Sequence, residues 1–539
     1  MASKIDRRAL LARELGVLFR AGVLAPTAPP VAIRQLLQLK RYGPTLGGAY
    51  SVAAHRAPWR CAVADETCSR TFAELDERVR AVVRGLVARG IGPHDTVAVL
   101  GRNSVPFVEA LVAASRLGSD AVLLSTFLSP GQTRDVLLRE RCRVVFADPE
   151  LLPLLEHRPE GVLVVALRSG TAVTAAGYLT LDALMADGDD PRPSGRRGRL
   201  VVLTSGTTGT PKGARRPAPS SLGPAAAVLS RLRLTSRDTI MISSPLFHTW
   251  GLGMLQIASA LTATVVVRER ADPEVVLDAI SRTRATALIA VPVILERVLH
   301  LPGDVRAGYD VSRLRAVASS GSALGAALAR EFQDEFGDVL YNVYGSTEIS
   351  WATIATPADL RVAPGTAGRP PLGTRLEIVD DAGRPVGRGT VGRIFVGHEL
   401  LFEGYTAAPG TERLHGLMAT GDRGYLDPDG RLMVVGREDD LVISGAEKIY
   451  PREVEEVILA LPEVREVVVT GRPDPEMGQR LVAFVVRHEG AGLTVEDVQN
   501  HVRGRLARFA VPRAVTFLDE LPRTPTGKVV PRLLPGGQG

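Results

Sequence analysis

The sequence predicts an α/β protein: a large N-terminal domain of parallel-rich sheets covered by helices, a β-rich subdomain attached to it, and a small α+β domain at the C-terminus. Three observations predict this. The chain has 539 residues, beyond the size at which a single core stops growing. From Phe72 onward, helical periodicity alternates with short apolar runs, the pattern of parallel strands joined by covering helices. After Gly436 a strand–helix–strand pattern begins afresh. The expected division is 1–438, with a helical extension over 1–60 and the β-rich part over 365–435, followed by 439–539.

Taken in order, the stretch RRALLARELGVLFRAGVL puts Leu11, Leu15, Leu18 and Phe19 at spacings that fit one helical face. Arg13, Glu14 and Arg20 interrupt its apolar run and no small-residue cleavage site follows, so it does not read as a secretory signal. It reads either as a helix packed on the body or as an interfacial helix that collects a lipid substrate from a membrane. FAELDERVRAVVRGLVARG and VPFVEALVAASRLG read as helices, and TVAVLGRN, DAVLLSTF and RVVFADPE as strands. RLVVLTSG, ATVVVRER, ATALIAVPVI and LRAVASSG read as further strands, separated by helical DPEVVLDAISRTRA and GAALAREFQDEFG. Around 365–435 glycine, arginine and short strands such as GRIFVGHELL and GRLMVVG dominate. PREVEEVILALPEVREVVVTG and RLVAFVVR then supply a helix and two strands of the last domain.

Composition narrows the function. An apolar fraction of 45% with 23% charged residues is that of an ordinary globular protein. The net charge of +6 is spread along the chain without basic clusters, which argues against a nucleic-acid surface. Cys61, Cys68 and Cys142 lack paired metal-ligand spacing, so a reducing, cytoplasmic setting is expected. No apolar stretch is long enough to span a bilayer. Of 65 basic residues only Lys4, Lys40, Lys212, Lys448 and Lys528 are lysine. Where arginine has been used so widely, a retained lysine marks sites that need a compact, flexible ammonium.

Lys212 stands near the end of the stretch LTSGTTGTPKGA, which runs out of an apolar strand. Glycines let a backbone approach its ligand, while clustered N–H groups, hydroxyls and an ammonium solvate anionic oxygens. A phosphate ligand is the reading. The spacing is not that of a Walker A loop.

TSGTTGTPKG resembles the phosphate loop of the adenylate-forming superfamily, which includes acyl-CoA synthetases, peptide-synthetase adenylation domains and beetle luciferases. Five further stretches match in order: SSPLFHTWG (243–251), YNVYGSTE (341–348), ATGDRGYLDPDGRL (419–432), GREDDLVISGAEKIYPREVE (436–455) and PRTPTGK (522–528). The resemblance implies two domains that change orientation, and a reaction in which a carboxylate attacks the α-phosphate of ATP. Two anions meet in that step, so cations must offset their repulsion.

By resemblance, Thr204, Ser205, Gly206, Thr207, Thr208 and Lys212 hold the β- and γ-phosphates, Thr347 bonds the α-phosphate and Glu348 holds Mg²⁺. Tyr344 and Gly345 face adenine, with Asn342 near its amino group. Asp422 accepts the ribose hydroxyls, assisted by Arg437. Lys528 reaches from the small domain to the carboxylate and α-phosphate. His248 lies near the acyl carboxylate, and Trp250, Gly251, Ser320 and Gly321 shape the acyl pocket. Asp439 matches the hinge. Many relatives carry GGEN where this chain has Gly445, Ala446, Glu447 and Lys448, the loop expected to approach coenzyme A. The reading is therefore a long-chain fatty acyl-CoA synthetase, using ATP, Mg²⁺ and coenzyme A on a fatty acid. Its alternatives are an acyl-AMP ligase that loads a carrier protein and a nucleotide-binding pseudoenzyme. A homo-oligomer and peripheral membrane contact stay open.

Overall fold

The computed structural model describes residues 7–170, 173, 175–204, 211–406, 410–444, 447–524 and 529–536. Three helices lead the chain: α1 (Arg7–Arg20), α2 (Pro29–Tyr42) and α3 (Leu46–Arg56). Pro29 opens α2, where a missing N–H costs nothing, and Thr45 caps α3 by accepting from Gly48 N. The apolar stripe of α1 divides. Leu18 packs inward with Val17, while Leu11, Leu15 and Phe19 stay exposed. α2 buries no residue at all.

Two eight-stranded sheets form the body among the described residues. One runs, edge to edge, Thr353–Ala355, Leu340–Tyr344, Ala316–Ser319, Ala287–Ala290, Thr239–Ile242, Thr264–Val267, Cys61–Ala64 and Ser69–Thr71, parallel except at its two edges. The other runs Gly404–Tyr405, Lys212–Arg216, Leu200–Thr204, Asp120–Leu124, Thr96–Leu100, Cys142–Ala147, Leu163–Ala166 and Leu179–Thr180. Its first three strands pair antiparallel and the rest parallel. Runs such as VVLT, TVVV and ALIA are apolar without alternation because both faces of these strands are covered. One core joins the facing sides of the two sheets, with the helices Phe72–Ala88, Val105–Leu117 and Thr249–Leu261 contributing Leu75, Leu111 and Leu255 to it.

The glycine-rich region forms an antiparallel sheet of Arg375–Val379, Gly392–Gly397, Leu417–Leu426, Arg413–Leu414 and Leu432–Arg437. The last sheet contains Glu447–Ile449, Val442–Ser444, Gly478–Arg487 and Val464–Asp474, with Ala514–Leu518 parallel to Gly478–Arg487. The helices Pro451–Ile458 and Val495–Arg503 supply Val454, Ile458, Val498 and Val502 to its separate core. An α/β body and a smaller α+β unit are thus both present, as the periodicity predicts.

Candidate active site

The strands Leu200–Thr204, Ala316–Ser319 and Leu340–Tyr344 deliver their C-terminal ends to one cleft of about 2360 Å³, where ligands of parallel sheets gather. The cleft runs from α2 and the helix Thr249–Leu261, past Thr347 and Asp422, to the small sheet at Val469 and Thr524.

Two ends of the phosphate loop are described. Thr204 and Lys212 face each other in an antiparallel pair, and Thr204 Oγ1 donates to Lys212 O at 3.3 Å. Ser205, Gly206, Thr207 and Thr208 lie outside the described residues.

The segment after Leu340–Tyr344 turns tightly at Gly345, where an added Cβ would sit 2.3 Å from Ser350 O. It carries Thr347 and Glu348. Ser346 Oγ donates to Glu348 Oε2 at 2.6 Å, and Tyr405 Oη donates to Glu348 Oε1 at 2.6 Å. Thr249 Oγ1 donates to Thr347 Oγ1 at 3.2 Å. Beneath the segment, the buried Arg216 guanidinium donates to Thr347 O at 3.1 Å and Ser350 Oγ at 2.8 Å. Burial pushes Arg216 down to about 10, with Glu348 acting in the opposite direction. Arginine remains a cation at neutral pH, and here it holds the backbone of the turn rather than facing solvent.

Asp422 is largely but not fully buried, at the start of a β-ladder with Arg437. Tyr344 Oη donates to Asp422 Oδ2, and Arg437 Nη1 lies 3.5 Å from Oδ1. Burial raises the Asp422 carboxyl, while the Tyr344 hydrogen bond and Arg437 oppose that shift. Asp422 thus already accepts from Tyr344, though each oxygen keeps a further lone pair. Asn342 Nδ2 donates to Thr366 O at 3.0 Å. Arg437 also reaches Asp439, the residue expected at the hinge, at 3.5 Å.

On the apolar side, Trp250 Nε1 donates to Ala290 O at 2.9 Å, which makes the indole a fixed wall. Gly251 is required by packing, since a Cβ there would meet Pro245 O at 2.5 Å. Ser320 and Gly321 line the same cavity, Gly321 with φ 96°. His248 is half-buried, and its buried Nε2 has no hydrogen-bond partner among the described residues. Burial lowers its pKa to about 4, so the imidazole is neutral at pH 7.

The small domain is described in part. Lys448 belongs to the strand Glu447–Ile449; Gly445 and Ala446 lie outside the described residues. Lys528 also lies outside them. On either side of 525–528, Arg523 and Val529 form an antiparallel bridge, and Arg523 pairs with Glu466.

A divalent cation fits the chemistry at Glu348. Both carboxylate oxygens are oriented by neutral hydroxyls, and both retain acceptor capacity. Among the described residues no group of three His, Cys, Asp or Glu stands together. A lone carboxylate completed by ligand phosphates suits Mg²⁺ better than a metal that needs an all-protein cage. Sequence reading passed over Tyr405, Arg216, Thr249 and Ser346. Thr249 and Ser346 stand inside quoted motifs, whereas nothing local singles out Tyr405.

Residues 50–406 match the AMP-binding enzyme family, and residues 453–528 match the AMP-binding enzyme C-terminal domain. An indoleacetate–CoA ligase of Aromatoleum aromaticum is 34% identical over 470 residues, 85% of this chain and 91% of that protein. A feruloyl-CoA synthase of an Amycolatopsis species is 33% identical over 484 residues, 88% and 96% of the two chains. Among solved structures, an anthranilate CoA ligase in complex with anthranoyl-AMP aligns with a TM-score of 0.80 at 25% identity, covering 90% of this chain and 95% of that one. The o-succinylbenzoate CoA synthetase of Bacillus subtilis, bound to its acyl-adenylate, aligns at 0.75 and 27% identity, covering 91% and 98%. The chain is an enzyme of the AMP-binding, adenylate-forming superfamily, with CoA ligases among its homologues.

Proposed function

We propose that this enzyme joins an apolar carboxylic acid to coenzyme A through an acyl-adenylate. A carboxylate oxygen attacks the α-phosphorus of ATP, the bond to pyrophosphate breaks, and acyl-AMP forms. The sulfur of coenzyme A then attacks the acyl carbon, AMP leaves, and the thiol proton passes to solvent. Lys212, Thr204 and the residues 205–208 hold the β- and γ-phosphates; Thr347 and Lys528 face the α-phosphate; Tyr344, Gly345 and Asn342 hold adenine; Asp422 and Arg437 hold ribose. Mg²⁺ bound by Glu348 supplies charge neutralisation of the phosphates. His248, neutral and with Nε2 unengaged, offers one hydrogen bond beside the acyl carboxylate.

One observation carries the substrate class. Apolar Met254, Ile257, Val291 and Leu36 line the same cleft as Trp250. A fatty acid fits such a wall. The relatives are named for other acids: indoleacetate, a feruloyl acid and, in Cupriavidus necator, sulfoacetate. A carrier-protein acceptor is the second reading, favoured by the 30% identity to a fatty acid–[acyl-carrier-protein] ligase of Streptomyces coeruleorubidus over 509 residues. The domain division at 438/439, pivoting at Asp439, belongs to the same proposal, as do an approach of Gly445, Ala446 and Lys448 to coenzyme A and a cytoplasmic location with membrane contact through the N-terminal helices. The deciding experiment is AMP release from aliphatic acids of graded length and from aromatic acids, with and without coenzyme A. Preference for long aliphatic acids together with coenzyme A dependence supports the reading. Preference for aromatic acids removes the fatty acid, and release without any thiol ester removes coenzyme A.

A further inference from the structure

We infer that Tyr405 is a positioning residue shared by the two charges at the phosphate end of the site, Glu348 and Lys212. The inference rests on the ATP reading above and adds a residue that no sequence motif singled out.

Its geometry is double. The Tyr405 hydroxyl donates to Glu348 Oε1 at 2.6 Å, and the Lys212 ammonium stands 5.7 Å from the centre of the same ring. Backbone pairing fixes the ring there. Tyr405 lies opposite Ala214 in the ladder that carries Lys212, with Thr406 N donating to Gly213 O at 2.8 Å and Glu403 N to Arg215 O at 2.9 Å. The same segment reaches the other charge, since Phe402 N donates to Glu348 O at 2.8 Å. The Phe402 ring meets Tyr405 edge-on, with centroids 5.0 Å apart. Five consecutive residues, 402–406, thus tie the lysine strand to the carboxylate turn.

The chemistry follows from what a phenol can do. Among the described residues Glu348 and Lys212 form no direct ion pair, and such a pair would consume the charges that a metal–phosphate ligand requires. Tyr405 stands between them as a neutral spacer. A phenol is a neutral hydroxyl donor, and here its hydrogen is directed at Glu348. It orients one carboxylate oxygen while Ser346 orients the other, and its π face attracts the ammonium without neutralising it.

The test uses the full chain and ATP itself as the probe. ATP affinity is measured by calorimetry across a Mg²⁺ titration and in EDTA, for wild type, Tyr405→Phe, Tyr405→Leu and Glu348→Gln. Tyr405→Phe keeps the ring and loses the donor, so the Mg²⁺ needed for half-maximal tightening should rise about 10-fold, with affinity in EDTA unchanged. Tyr405→Leu also removes the π face, so affinity in EDTA should fall about threefold. Adding Tyr405→Phe to Glu348→Gln should cost nothing further, because the donor then has no carboxylate to orient. An unchanged Mg²⁺ requirement in Tyr405→Phe, or full additivity with Glu348→Gln, overturns the inference. Wild-type ATP affinity that ignores Mg²⁺ instead overturns the reading on which it rests.

Discussion

At the scale of single residues, the proposed function separates charges that act on the ground state from a charge that arrives with the reaction. In that reading Lys212 belongs to the first kind and Lys528 to the second. An interaction made only in the transition state lowers the rate when it is lost and leaves binding nearly intact. Lys528→Ala should slow acyl-AMP formation about 100- to 1,000-fold while thioester formation from supplied acyl-AMP stays near normal. Lys528→Arg should restore little, because a planar fork does not replace a point donor. Separate assay of the half-reactions checks this, and wild-type adenylation in the alanine variant would remove the assignment. A second residue pair follows from geometry. Tyr344 donates to Asp422, so Tyr344→Phe leaves a largely buried carboxylate short of a donor. Its affinity for AMP should fall about 10-fold, with Asp422→Asn in the same background adding less than it does alone; full additivity would show that the hydrogen bond does not order the ribose side.

At the scale of elements, the helix Thr249–Leu261 lines the cleft and, in the proposed function, forms the acyl wall. A Cβ at Gly253 meets nothing within 4 Å, so this glycine leaves room in the cleft rather than serving backbone packing, unlike Gly251. Gly253→Leu should fold normally and lower kcat/KM for long or ring-bearing acids about 10- to 100-fold relative to short ones, by filling that room. An unchanged length profile would place the acyl group elsewhere. The N-terminal helices show where patterning is ambiguous. The stripe Leu11, Leu15, Leu18, Phe19 is legible in sequence, yet Leu18 is 3% exposed and Phe19 60%. Side chains adjacent along the chain part company because α1 lies against the helix Gly223–Leu229 along one edge only. α2 adds exposed Ile33, Leu36 and Leu37, with Arg34, Lys40 and Arg41 and no acidic residue. If these helices meet a lipid surface, Ile33→Glu with Leu37→Glu should abolish co-sedimentation with phosphatidylglycerol vesicles and spare turnover of short, soluble acids. Equal sedimentation of variant and wild type would rule the contact out.

At the scale of the whole molecule, the two domains meet at Glu296. It faces Glu466, Arg523 and Arg465 of the small domain and Arg297 of its own helix, while His300 and His488 approach with ring centroids 6.1 Å apart. Burial first, and Glu466 second, raise the Glu296 carboxyl to about 7. A raised acid favours its protonated form in the docked state. Its contribution to docking is therefore complete below the ordinary carboxylate range and is lost as pH rises through about 7. Interdomain fluorescence transfer, or protease access to the 439–444 connection, should report loosening as pH rises from about 4.5 to about 7. Glu296→Gln should flatten that change, and a response identical to wild type would assign it to other groups. Sequence alone determined the fold class, most of the elements and the adenylate-forming family of this enzyme. Apolar runs and helical periodicity are local, and so are the hydroxyls, glycines and single lysine of the phosphate loop. Only the tertiary structure decided how the charges are held. Tyr405 and Glu348 are 57 residues apart, Tyr344 and Asp422 are 78, and Arg216 and Thr347 are 131. No local pattern encodes those meetings, because each arises from which strands pair and which sheet edges face the cleft.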